Sequence, residues 1–147
     1  MGEMAVAMNE GVLLTLLGSC VGVALYDRKR KVGGLAHIVL PKSREPVELP
    51  GKFVDTAIPA LLAEMKGLAG ESIRPVAKLA GGANMFAAQS GRNIGKENLD
   101  AAEQLLKQKG IPIIAHDGGG EKGRRMSLDV ATGVVRIEIV GCEAIEL

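Results

Sequence analysis

The feature that most constrains the fold is the run LLTLLGSCVGVALYDRKRKVGGLAHIVLP at residues 13–41. Within it, the apolar, β-branched stretches 21–26 and 32–40 flank the charged tetrad Arg28-Lys29-Arg30-Lys31. That is the pattern of a β-hairpin with a solvated turn. With the turn centred on Lys29-Arg30, Arg28 stands opposite Lys31, Cys20 opposite Val39 and Gly22 opposite His37. Opposed residues share a face, and so do residues two apart along a strand. Cys20 and His37 are then diagonal neighbours, roughly 7–8 Å apart at the backbone. A slip of one residue would put them on opposite faces.

The same register sorts the remaining side chains. One face carries Val21, Val23, Leu25, Val32, Ala36, Ile38 and Leu40, which suits packing under helices. The other carries Cys20, Gly22, Ala24, Gly33, Leu35, His37 and Val39. Small residues beside Cys20 and His37 leave room for a substrate chain or for a closely packed second layer.

A cysteine leaving a Gly-Ser turn has the surroundings a nucleophile needs. Backbone N–H groups at such a turn can converge on a developing oxyanion. A histidine can take the thiol proton and return it to a departing amine. A third polar group should orient the imidazole, and Thr15, on the preceding strand, is the nearest candidate. An activated Cys20 would be alkylated before Cys142. The bland readings stand beside these: a lone cysteine ordinarily packs as a small hydrophobe, and a lone strand histidine as a hydrogen-bonded core residue. Spacing alone leaves both open.

Composition narrows the function classes. The chain has 147 residues, 47% of them hydrophobic, which is enough for one domain spanning residues 1–147 with a real core. A net charge of +1 and 2% aromatic residues give little support to nucleic-acid binding. Two cysteines, Cys20 and Cys142, are too few for a disulfide framework. Cys20, His37, His116 and Cys142 lack the local pairing of a zinc site, so no metal is expected. His116 and Cys142 read as structural. The start, MGEMAVAMNEG, has no basic segment before an apolar one, and no apolar run is long enough to span a bilayer, so no membrane insertion and a cytoplasmic location are expected.

Along the chain, residues 12–17 read as a buried strand. Residues 41–51, with three prolines, read as a loop. Residues 53–68 read as a helix aided by Asp55 and ended by Gly67 and Gly70, provided Pro59 lies in its first turn. Residues 75–80 form a strand stopping at Gly81-Gly82. Residues 94–109 form a helix capped by Asn93 and stopped by Gly110. Residues 111–115 form a strand, and 125–130 with 134–140 a final hairpin. This order predicts an α/β chain of the α+β type: mostly antiparallel sheet, two main helices on one face, and room for a second sheet layer.

The motifs TLLGSCVGVALYD, GGLAHIVLP, PGKFVDTAIPALL, KLAGGANMF, NIGKENL and DGGGEKGRRMSLDVATGVV follow one another over nearly the whole chain. In them the chain resembles the CheD family, the chemoreceptor glutamine deamidases of bacterial and archaeal chemotaxis. The resemblance implies papain-like chemistry on an α/β fold similar to bacterial toxin deamidases, with no metal or organic cofactor. It implies Cys20, His37 and Thr15 as a catalytic triad. The step from threonine to cysteine is one residue shorter here than in the family's pattern, so a local bulge is expected if Thr15 is to serve. The resemblance also implies two partners, a chemoreceptor cytoplasmic region and a CheC-type chemotaxis phosphatase. Ser19, Gly81, Gly82, Met85 and Phe86 are candidates for the surface that meets them, although a strand-end turn and ordinary core would explain the last four as well. A regulatory module that binds such a phosphatase, with catalysis secondary or lost, is the alternative to an enzyme.

Overall fold

The computed structural model describes residues 1–86, 89 and 91–147. The hairpin is the centre of the molecule. Strand β3 (Val21–Asp27) pairs antiparallel with β4 (Val32–Ile38), and Gly22 stands opposite His37, as the turn placement predicts. Asp27 builds the turn: its carboxylate accepts from the Lys29 and Arg30 N–H groups, and from Arg74 N–H across the chain. Lys31 takes a positive φ of 49° to complete it.

Three further strands join this pair. β1 (Met4–Met8) lies outside β4, β5 (Val76–Gly81) lies beside β3, and β6 (Ile113–Gly118) runs parallel to β5 at the edge. A second sheet has the order β2 (Val12–Leu17), β7 (Arg124–Asp129), β8 (Val135–Glu138) and β9 (Ile145–Glu146). Strands β1 and β9 have no counterpart in the sequence reading. The alternation in MAVAM is the signal for the first: Met4, Val6 and Met8 pack on the core, while Ala5 is exposed.

The two helices, α1 (Val54–Ala69) and α2 (Ile94–Gln108), cover one face of the five-stranded sheet. Val21, Val23, Leu25, Val32, Ala36 and Ile38 meet Ile58, Leu61 and Met65 of α1 and Ala102 and Leu106 of α2. Burying one such large aliphatic side chain contributes about 1.5–3 kcal/mol. The opposite face meets the second sheet, where Cys20, Ala24 and Leu35 pack with Leu17, Met126, Leu128 and Ile137. The result is an α+β sandwich of helices, mixed sheet and antiparallel sheet.

Several expectations shift in detail. Strand β2 is buried on one side only: Leu13, Thr15 and Leu17 turn inward, while Val12, Leu14 and Leu16 are 66%, 51% and 70% exposed. Its six apolar or small residues suggest two covered faces, but it lies in the outer sheet, which packs on the five-stranded sheet by its inner side. Pro59 sits in the second turn of α1 rather than the first, and the helix runs on through Gly67 to Ala69. Gly70, at φ 94°, then ends it with its N–H on the Lys66 carbonyl. Asn93 caps α2 as predicted, accepting from Lys96 N–H.

Candidate active site

The site lies between the sheets, at the open end of the β3–β4 hairpin. Thr15 stands on the inner face of β2 and His37 on the facing side of β4. A hydrogen bond of 2.7 Å joins Thr15 Oγ1 to His37 Nδ1. It crosses from one sheet to the other. No bulge is needed to reach it, because β2 pairs with β7 without interruption from Val12 to Leu17.

Cys20 ends the Gly18-Ser19 turn that follows β2, two residues before Gly22, which stands opposite His37. The thiol is buried, with Cys20 8% exposed. The end of β5 fixes the turn from behind. Gly82 N–H donates to the Cys20 carbonyl at 2.8 Å, and Ala83 N–H to the Gly18 carbonyl at 2.9 Å. Gly81 takes φ 97°, and a Cβ there would collide with the Cys20 carbonyl oxygen. Glycine is required for both reasons.

The backbone of His37 is held as firmly. Its N–H donates to the Glu3 carbonyl, and its carbonyl accepts from Gly2 N–H, both at 2.9 Å. The segment leading into β1 therefore holds the backbone that carries the imidazole. With Nδ1 engaged by Thr15, Nε2 is the nitrogen left for proton transfer. It is buried and has no hydrogen-bond partner among the described residues.

Burial pushes the Cys20 thiol above its ordinary range and the His37 imidazole below its own. Each shift disfavours the charged form of a group taken singly. Cys142 is exposed, so a reagent in solution meets it directly and Cys20 only through its covering.

The remaining sequence candidates separate into two groups. Gly81 and Gly82 are buried and brace the Cys20 turn. Ser19 is half-buried, and Met85 and Phe86 are 48% and 52% exposed. Met85 covers the turn, since a Cβ on Gly18 would stand 2.5 Å from its Sδ. A groove of about 1210 Å³ runs from Gly18 and Met85 along Leu14 and Leu16 to Val140. Asn98 was not among the candidates. It is fully buried on α2 and donates to the carbonyls of Ser19 and Val39. Its only sequence signal is an amide in the otherwise apolar or small stripe Gly95, Asn98, Ala102, Leu106. Among the described residues, no group of three or more His, Cys, Asp or Glu side chains could hold a metal ion. No helix there is long and apolar enough to cross a membrane.

Residues 39–139 match the family described as CheD chemotactic sensory transduction. A "Probable chemoreceptor glutamine deamidase CheD" of Methanococcus vannielii is 47% identical over 139 residues, covering 93% of this chain and 90% of the relative. The chain belongs to the CheD family. The "Chemoreceptor glutamine deamidase CheD" of Thermotoga maritima is 43% identical over 141 residues, 95% of this chain and 89% of its own. That of Thermococcus kodakarensis, again named "Probable chemoreceptor glutamine deamidase CheD", is 45% identical over 144 residues, with the same coverage of 95% and 89%. The CheD segment begins just after His37, so Thr15, Cys20 and His37 precede it, whereas the alignments with whole CheD relatives span nearly the full chain.

Proposed function

We propose that the protein hydrolyses glutamine side-chain amides of chemoreceptor cytoplasmic regions to glutamate, with Cys20 as nucleophile, His37 as acid and base, and Thr15 orienting His37. One observation carries the reading. A buried thiol and a half-buried imidazole, whose Nε2 has no hydrogen-bond partner among the described residues, lie at one end of the hairpin, and the other ring nitrogen is held by Thr15 at 2.7 Å. The family's printed names supply the substrate.

In this mechanism His37 Nδ1–H donates to Thr15 Oγ1, which leaves Nε2 as the base. As the glutamine side chain arrives, the Cys20 S–H proton passes to Nε2 and the sulfur attacks the amide carbon. Forming thiolate and imidazolium together lets each charge offset the other's burial, which neither can do alone. Nε2–H then protonates the amide nitrogen, the C–N bond breaks, and ammonia leaves. Water gives a proton to Nε2 and adds to the thioester. The C–S bond breaks, the thiol regains its proton, and glutamate remains. Backbone N–H groups of the Gly18–Cys20 turn are the proposed donors to the oxyanion.

The exposed Met85 and Phe86, with the groove beside them, support a docking surface shared by the receptor and a CheC-type phosphatase. Incubation with a receptor cytoplasmic segment, followed by mass spectrometry of its glutamine peptides, tests the reading. Conversion of specific glutamines to glutamate is expected. Binding of a CheC-type phosphatase with no conversion on any receptor segment would favour the regulatory module instead.

A further inference from the structure

We propose that Asn98 is a positioning residue for this site, a side-chain staple that closes the open end of the hairpin and sets Cys20 against His37. The inference rests on the proposed roles of those two residues. The β3–β4 ladder is paired as far as Val21 and Ile38. The next residue on each strand would be Cys20 and Val39, but Val39 N–H donates instead to the Lys52 carbonyl at 2.9 Å. The ladder therefore ends one step short of the nucleophile. At that step the Asn98 amide takes over. Its Nδ2 donates to the Val39 carbonyl at 2.9 Å and to the Ser19 carbonyl at 3.2 Å. One planar group thus ties the residue before Cys20 to the residue two beyond His37.

The sequence NIGKEN makes this reach possible. Asn93 caps α2 and fixes where the helix begins. Gly95 lies against the Gly82 and Ala83 carbonyl oxygens so closely that a Cβ would collide with them. The helix can therefore sink onto the end of β5, and Asn98, one turn later, arrives at the Gly18–Cys20 turn. The side chain is wholly buried, so it touches no substrate. Its Oδ1 has no partner among the described residues. The amide is thus committed to donation, and the two carbonyls it ties are the ones flanking the chemistry.

Asn98→Leu keeps the branched shape and heavy-atom count and removes both donors. Leu106→Ala, in the same buried stripe but remote from the site, is the control for a purely structural effect. Two readouts are taken on folded protein: steady-state deamidation of a receptor cytoplasmic segment, and the pH profile of Cys20 alkylation in a Cys142→Ser background, which needs no substrate. A positioning role predicts that Asn98→Leu lowers kcat by about 100-fold with KM little changed, the scale of a misplaced reacting group, while Leu106→Ala keeps the wild-type kcat. It also predicts that the shoulder contributed by His37 to the alkylation profile disappears in Asn98→Leu and persists in Leu106→Ala. Wild-type kcat in folded Asn98→Leu, an equal fall in Leu106→Ala, or superimposable alkylation profiles would overturn it. If Cys20→Ala still deamidates, the proposed function fails, and the alkylation profiles still decide whether Asn98 couples the pair.

Discussion

Toward the helices, strands β3 and β4 present Val21, Val23, Leu25, Val32, Ala36 and Ile38, every one of them fully buried. Toward the second sheet, the same strands present Gly22, Ala24, Gly33, Leu35 and His37, with Cys20 at their mouth. The first face is mostly branched aliphatic, with Gly34 and Ala36 as its small residues. The second is small around the polar pair, with Leu35 and Tyr26 as its large residues. Small residues let β2 and β7 approach closely enough for Thr15 to reach His37 across the gap between the sheets. A face built like the first would hold the sheets too far apart. Stability thus resides chiefly on one side of the sheet and the proposed chemistry on the other, and the contrast can be broken from either side.

The largest effect is expected from paired truncations. Cys20→Ala should lower deamidation by roughly 10,000-fold, the scale of losing the nucleophile from a unit that acts together, with the unfolding midpoint nearly unmoved. Leu25→Ala should do the reverse. It costs about 2–5 kcal/mol by denaturant titration, while turnover per folded molecule holds. If Leu25→Ala also removed turnover from the folded fraction, the division between the faces would not stand.

Thr15 sharpens the contrast, because it is the second sheet's contribution to the chemistry. Thr15→Ala should lower kcat by about 10- to 100-fold. Thr15→Ser, which keeps the hydroxyl, should stay within a few-fold of wild type by the same measure. Both should unfold near the wild-type midpoint. Equal activity in the two variants would mean that another group orients His37.

Two glycines test the packing directly. A Cβ on Gly22 would stand 2.5 Å from Met126 Sδ and 2.9 Å from Leu17 Cδ1, on the sheet-facing side. A Cβ on Gly34 would stand 2.8 Å from Leu61 Cδ1, on the helix-facing side. Overpacking at either costs about 1–3 kcal/mol. Calorimetry should show similar losses, but only Gly22→Ala should also slow turnover, because it pushes the sheets apart at Thr15 and His37. Matching activities in the two variants would show that the intersheet spacing is not critical.

The smallest effect concerns acid stability and leaves the site alone. Burial raises the Asp27 carboxyl, but the N–H donors of Arg30, Arg74 and Lys29 outweigh it and hold the group below its ordinary range. A carboxyl depressed in the folded state stabilises the fold above its unfolded pKa, and that contribution is lost as pH falls through the folded value. Asp27→Asn should therefore flatten the acid limb of the stability curve with turnover at neutral pH unchanged. An unaltered acid limb would remove Asp27 from this role.

Much of the first face was legible because hairpin periodicity and turn chemistry are local. The DRKRK turn sets the register, and the register sorts every side chain of β3 and β4. The Cys20–His37 proximity follows from the same count. What the sequence hides is set by neighbours distant along the chain. The open outer side of β2 depends on its place in the outer sheet, only one face of which packs on the other sheet, and its apolar residues do not reveal that. The burial of the Cys20 thiol depends on the second sheet packed over it. Asn98 reads as an ordinary helix residue until α2 is seen resting on the end of β5. Strand β1, whose lead-in residues Gly2 and Glu3 hold the His37 backbone, was legible in principle from the alternation in MAVAM.

The central claim is that Cys20, set between the two sheets, forms the covalent intermediate. It is tested most directly by acid-quenching a reaction with a receptor glutamine segment during turnover and mapping the mass of every cysteine peptide. The account predicts an acyl adduct on the Cys20 peptide, cleaved by hydroxylamine and absent from Cys142 and from Cys20→Ala. Receptor deamidation that proceeds at the wild-type rate in Cys20→Ala, with no adduct on any cysteine, would contradict it.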